Sequence, residues 1–101
     1  MLAVAAVAGC SSPSPERLAA AIRSGNDGLV LDAVVRRGDS TDDYVEVTFR
    51  AGVSEAEAHG FWCRAIVPNG GRSEYDDPSS GVYVDTVDST GETIVFPIDC
   101  P

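Results

Sequence analysis

His59 and Cys63 lie four residues apart, a spacing that puts an imidazole and a thiol on one face of a helix. Asp99 and Cys100, near the other end of this half of the chain, complete its most chemically capable set of side chains. Imidazole and thiolate both bind zinc, but zinc requires a full tetrahedral set of ligands. No close Cys or His pair supplies the remainder, so no metal is expected there. A nucleophilic Cys–His pair is equally incomplete, because no third group is evident to orient the imidazole.

Acidic groups are the next candidates. Asp39, Asp42 and Asp43 cluster in one polar stretch; Glu74, Asp76 and Asp77 cluster in another. Clustered carboxylates can bind calcium. Neither cluster has the residue spacing of the calcium-binding helix–loop–helix motif, so both read as solvated loops. Tyr75 sits among Ser73, Glu74, Asp76 and Asp77. An aromatic on a polar loop is a contact anchor for a ligand or partner, and Asp76 and Asp77 are the candidates beside it. Arg37-Gly38-Asp39 spells an adhesion tripeptide, but Gly-Asp is ordinary turn chemistry and is given no role. No phosphate-cradling glycine loop or nucleophile elbow occurs. An enzyme is not expected, and no cofactor is implied.

The elements that must position these residues follow from hydrophobic spacing. Ser14 caps a helix over about 15–24, with Pro15 at its first position and Leu18, Ala21 and Ile22 on one face. Leu29 to Arg36 is β-rich, and Asp43 to Arg50 alternates, with Val45, Val47 and Phe49 on one side. These two make a hairpin. Ser54-Glu55-Ala56-Glu57 is a capping box, followed by a stripe of Ala58, Phe61, Trp62, Ala65 and Ile66. Pro68 to Gly71 ends that helix, and a polar loop runs from Gly70 to Ser80. Strands are expected over about 82–87 and 93–98, with Pro97 suited to an edge. The expectation is an α+β fold in the order α-β-β-α-β-β, a four-stranded antiparallel sheet with two helices on one face.

Charge narrows the function classes. The 101 residues carry 16 acids against seven bases, for a net charge of −9. A nucleic-acid binder needs a basic face to displace counterions from phosphate, and this chain has the opposite field. The charge is also uneven, since Glu16 is the first charged side chain. Ahead of it, Leu2 to Gly9 is an apolar run too short to cross a bilayer as a helix, but of the length of a signal-peptide core. Ser11-Ser12-Pro13-Ser14-Pro15 follows as a tether.

Val7-Ala8-Gly9-Cys10 resembles the lipobox of bacterial lipoproteins: an aliphatic residue, two small residues, then cysteine. It departs from that class in having no Lys or Arg before the apolar run. The resemblance implies cleavage between Gly9 and Cys10, a diacylglyceryl thioether on Cys10, and residence on the extracytoplasmic face of the cell membrane. The chain then divides into a signal peptide (1–9), a lipidated cysteine with its tether (10–15) and one small α+β domain (16–101). With Cys10 lipidated, Cys63 and Cys100 remain, and in an oxidising compartment they are expected to pair. Such a bridge leaves His59 as a partly exposed histidine beside a disulfide.

Function is expected to be that of a lipid-anchored envelope protein, a non-catalytic binding or accessory module for an envelope protein or cell-surface ligand. The alternative is a small metal-dependent or hydrolytic factor using His59 and the acidic loops.

Overall fold

The computed structural model describes residues 14–38, 43–77, 80–96 and 99–100. Cys10 and the signal segment, Asp39, Asp42 and Pro97 therefore lie outside the described residues.

Helix α1 spans Pro15–Ser24. The Ser14 hydroxyl accepts the Arg17 N–H at 3.2 Å, satisfying a donor that the first turn leaves over. Leu18, Ala19 and Ile22 are buried, so the core-facing stripe runs through Ala19 rather than the expected Ala21. Strand β1 (Val30–Arg36) and strand β2 (Tyr44–Phe49) pair antiparallel, with Asp32 opposite Thr48 and Arg36 opposite Tyr44. A register shift between Val30 and Asp32 turns Leu31 outward. Along β2, Val45, Val47 and Phe49 are fully buried, while Tyr44, Glu46 and Thr48 are half-buried on the opposite face.

Helix α2 spans Glu55–Phe61 and begins with the complete capping box. Ser54 accepts the Glu57 N–H at 3.1 Å, and the Glu57 carboxylate accepts the Ser54 N–H at 2.9 Å. Beyond Phe61 the helix widens into a π turn over Trp62–Ile66, where the Val67 N–H reaches back to the Trp62 carbonyl. A 3₁₀ turn, Val67–Asn69, closes it, and Gly70 exits at φ 99°. Strand β3 is only Gly71–Arg72, and β4 is Val82–Val87.

The sheet order is β1-β2-β4-β3, and it is mixed. β2 and β4 run parallel, with Val45 opposite Val84 and Glu46 opposite Asp85; β3 and β4 are parallel too. This corrects the expected all-antiparallel sheet. The chain between β2 and β4 includes α2 and its continuation, and such a crossover returns the chain to the end from which it left, which makes the flanking strands parallel. The strand order is corrected as well. Gly71–Arg72, taken for loop, is a strand, while the stretch from Thr93 contributes one isolated bridge, Thr93 to Val87.

The reason lies at the end of the chain. Phe96 packs on Trp62 and His59, with ring centroids at 5.6 and 5.7 Å, and Cys100 is bonded to Cys63. Pairing along the whole of β4 would carry this segment away from the helix it must reach.

One core joins the layers. Leu18 and Ile22 of α1, Phe61, Trp62 and Ile66 of the second helical segment, and Val45, Val47, Phe49 and Val84 of the sheet share a single cluster. Phe49 meets Phe61 edge to face at 5.8 Å. Among the described residues, no helix is long and apolar enough to cross a membrane.

Candidate functional site

The reactive set at His59 is assembled, but as a clasp. Cys63 and Cys100 form a disulfide with their Cα atoms 5.5 Å apart. His59 Nε2 lies 3.5 Å from Cys63 Sγ and 2.8 Å from the Asp99 carbonyl oxygen. A carbonyl only accepts, so Nε2 is the protonated nitrogen and donates to it. Among the described residues, His59, Cys63 and Cys100 are the one group of three whose ligand atoms gather within 4.8 Å. Metal ligation and nucleophilic attack both need thiolate, however, and these two sulfurs are bonded to each other. The geometry holds the chain end against the helix.

The acidic loop is also committed to itself. Asp76 accepts the Ser73 N–H at 3.0 Å, Ser73 Oγ accepts the Tyr75 N–H at 3.1 Å, and the Asp77 carbonyl accepts both Ser80 donors. The Asp76 carboxylate thus braces the turn that carries Tyr75, and the Asp77 main chain caps the next one. Tyr75 projects outward and is 80% exposed.

What lies beneath Tyr75 was not legible as a site. On the side away from β2, strand β4 has two short partners. Gly71–Arg72 pairs with Val82 and Tyr83, and the returning chain bridges Val87 and donates the Ile94 N–H to the Thr86 carbonyl at 2.9 Å. Between them, at Val84 and Asp85, a groove of about 120 Å³ opens. Its walls include Trp62, Glu74, Tyr75, Tyr83, Asp85 and Phe96. That volume is well below the roughly 300–1,000 Å³ of a drug-sized pocket, and suits a small molecule or the end of a side chain.

Glycines shape one end of the groove. A Cβ on Gly71 would strike the Ile66 side chain, and one on Gly81 would strike the Gly70 carbonyl. Only bare backbone lets β3 pass this close to the end of the helix. Arg72 then ties the crossing together: its Nε donates to the Gly81 carbonyl at 3.0 Å and its Nη1 to the Ser73 carbonyl at 2.9 Å.

Two of the residues that line the groove carry a polar group with no hydrogen-bond partner among the described residues. Trp62 is 3% exposed, and its indole N–H has no hydrogen-bond partner among the described residues. A buried donor left unmade costs about 1–3 kcal/mol. Asp85, half-buried, makes no hydrogen bond or ion pair among the described residues. Burial raises its pKa, and the charges of Glu46 and Glu74 raise it further. Glu46 itself is held by Arg36 at 3.0 Å. The Tyr83 hydroxyl is pushed up to about 12, first by burial and then by Asp85 and Glu74. The groove is thus aromatic and acidic.

Comparison with protein-family models, curated proteins and solved structures finds no match. Fold and groove together define a small, disulfide-clasped α+β domain with a ligand-sized opening at a sheet edge.

Proposed function

We propose that this chain is a non-catalytic binding module held on the extracytoplasmic face of a cell membrane by a lipidated Cys10, and that its ligand enters the groove beside Val84 and Asp85. The observation that carries the binding reading is the groove itself, an aromatic and acidic opening where the edge of β4 has only a two-residue strand and an isolated bridge beside it. The Cys63–Cys100 disulfide supports the address, because such bonds persist in oxidising compartments. Lipid at Cys10 would hold the domain at the surface, and its net charge of −9 would keep it off an anionic bilayer.

Two measurements test this. Protein extracted from membranes should lack residues 1–9 and carry the mass of acyl chains on Cys10, and Cys10→Ala should release it to the soluble fraction. An unmodified Cys10 in membrane-extracted protein would refute the anchor. Separately, a panel of small neutral, anionic and cationic fragments should perturb backbone resonances of residues 73–75, 83–86 and 93–96. Perturbations scattered away from that groove would refute it as the binding site.

A further inference from the structure

We infer that reduction of the Cys63–Cys100 disulfide turns the clasp into a zinc site, with Cys63 Sγ, Cys100 Sγ and His59 Nε2 as its three protein ligands. The inference is independent of the groove and of what binds there. It starts from a residue that the disulfide does not need. A bridge is complete with two sulfurs, yet the His59 imidazole stands beside it, its Nε2 3.5 Å from Cys63 Sγ. All three ligand atoms lie within 4.8 Å of one another.

That spacing suits one metal ion. Zinc bonds of about 2.0 Å to nitrogen and about 2.3 Å to sulfur, at a tetrahedral angle, hold the two ligand atoms about 3.6 Å apart. His59 and Cys63 already stand at that separation, because residues four apart share a helix face and the helix continues through Cys63 in its π turn. Phe96 packs beside the imidazole, 5.7 Å away, and steadies the ring. Cys100 is the adaptable member: it is exposed, and its Cα lies 5.5 Å from that of Cys63, within reach of a shared ion. Two thiolates, one imidazole and a water in the fourth position make a recognised zinc set. Calcium and magnesium prefer oxygen ligands, which this set lacks.

The redox step is a thiol–disulfide exchange. A dithiol gives up two electrons and two protons, becomes a disulfide itself, and leaves Cys63 and Cys100 as thiols. Zinc then displaces both thiol protons. His59 loses none. In the disulfide form its Nε2–H donates to the Asp99 carbonyl at 2.8 Å. In the zinc form Nε2 holds the metal, the proton sits on Nδ1, and Asp99 gives up its hydrogen bond. A histidine tautomer thus reports the state of the clasp, and His59 is the only histidine in the chain.

The test uses the full chain with Cys10→Ala, which leaves Cys63 and Cys100 as its only cysteines. Reduced by a phosphine under anaerobic conditions, it should bind one equivalent of zinc with a Kd below about 1 μM and release about two protons at about pH 7. Nitrogen-15 spectra of the single histidine should show the proton moving from Nε2 to Nδ1. The amides of Asp88 and Ile94 should regain the exchange protection that reduction removes. Cobalt in place of zinc should give the visible bands of a tetrahedral site with a sulfur-to-cobalt charge-transfer band. His59→Gln, first shown to keep the parent's spectrum in its disulfide form, should weaken zinc by at least about 100-fold after reduction, since loss of even an outer partner of a ligand costs about 10–100-fold. The disulfide form of the parent should bind no zinc at the clasp.

Zinc that binds the disulfide form as tightly as the reduced one belongs to the acidic loops and overturns the assignment. So does a reduced protein that binds no zinc, or a reduced His59→Gln protein with unchanged affinity. Zinc that leaves Nε2 protonated, or that binds without restoring the two amides, overturns it as well, because the ion then sits on an opened chain instead of in the clasp.

Discussion

The two edges of the sheet are built to different standards. On the β1–β2 side the ladder runs from Asp32 to Arg36 against Thr48 to Tyr44, and Val45, Val47 and Phe49 are fully buried. The exposed ion pair there, Arg36 to Glu46, is matched. On the β4 side the strand is flanked by a two-residue strand and a single bridge, with a gap between them. Trp62 and Asp85 line that gap, and Tyr75 and Val95, also in its walls, stand 80% and 75% exposed. β2 is continuously paired with its partner β1, and the outer edge of β4 is paired only in part.

The sharpest way to break this contrast is to truncate one aromatic on each side. Phe49→Ala should destabilise the fold by about 3–5 kcal/mol, since it empties a fully buried site against Phe61. Trp62→Phe should stay within about 1 kcal/mol of zero, because the lost volume is offset by removing an unpaired buried donor. Urea unfolding of both variants measures the difference. Equal losses would mean that Trp62 is ordinary core.

Next in size is the clasp. Replacing Cys63 and Cys100 by alanine should cost about 3–4 kcal/mol for a loop of 37 residues. Hydrogen exchange should localise the loosening. The amides of Asp88 and Ile94, bonded to Glu92 and Thr86, should lose protection while those of β1 and β2 keep theirs. Uniform loss across both edges would show that the two sides unfold as one.

A smaller effect belongs to the α2 cap. Ser54→Ala should cost about 1 kcal/mol. The backbone N–H and hydroxyl of Ser54 hold Glu57 below its ordinary value of 4.5. A carboxylate with a lowered folded pKa stabilises the fold above the unfolded value and loses that contribution as pH falls through the folded one. Glu57→Gln should therefore flatten part of the acid limb of the stability curve, and thermal melts between pH 2 and 6 would read it.

The smallest expected change has the opposite sign. Asp85 has a raised folded pKa, so the folded state keeps a proton that the unfolded chain has already released. Its ionisation costs stability above the folded pKa, and that cost disappears as pH falls below the unfolded value. Asp85→Asn should slightly raise the melting temperature at neutral pH and match the parent at low pH. A fall at neutral pH would mean that the ionised carboxylate is stabilised where it sits instead of penalised by burial and by Glu46 and Glu74.

Local signals carried much of the fold. Ser14, Pro15 and Gly25 bounded α1 because caps are satisfied within a few residues. The alternation of Val45, Val47 and Phe49 placed β2 and its buried face because strand periodicity needs no distant information. The second helix was visible in its capping box and stripe, but its π turn was not. An apolar stripe over so few residues cannot separate one helical period from a slightly wider one. The isolated bridge at Thr93 was read as a full strand because Ile94 and Phe96 alternate, and Phe96 turned out to face Trp62 and His59. Of the groove, Glu74 and Tyr75 had been singled out, both from the polar loop that carries them. Paired glycines at Gly70-Gly71, read as a helix stop, were the one local sign of the close crossing that shapes the groove's end.

By itself, then, the sequence determined the helices, the β1–β2 hairpin and the acidic character, all of which depend on composition or on neighbours along the chain. Only the tertiary structure decided that β2 and β4 run parallel, that the stretch after β4 makes one bridge instead of a strand, and that Trp62 and Asp85 both line a groove at the edge of β4. Those outcomes turn on which distant segments compete for the same strand edge. The disulfide settles part of that competition, because it draws the end of the chain to the helix and away from the full length of β4.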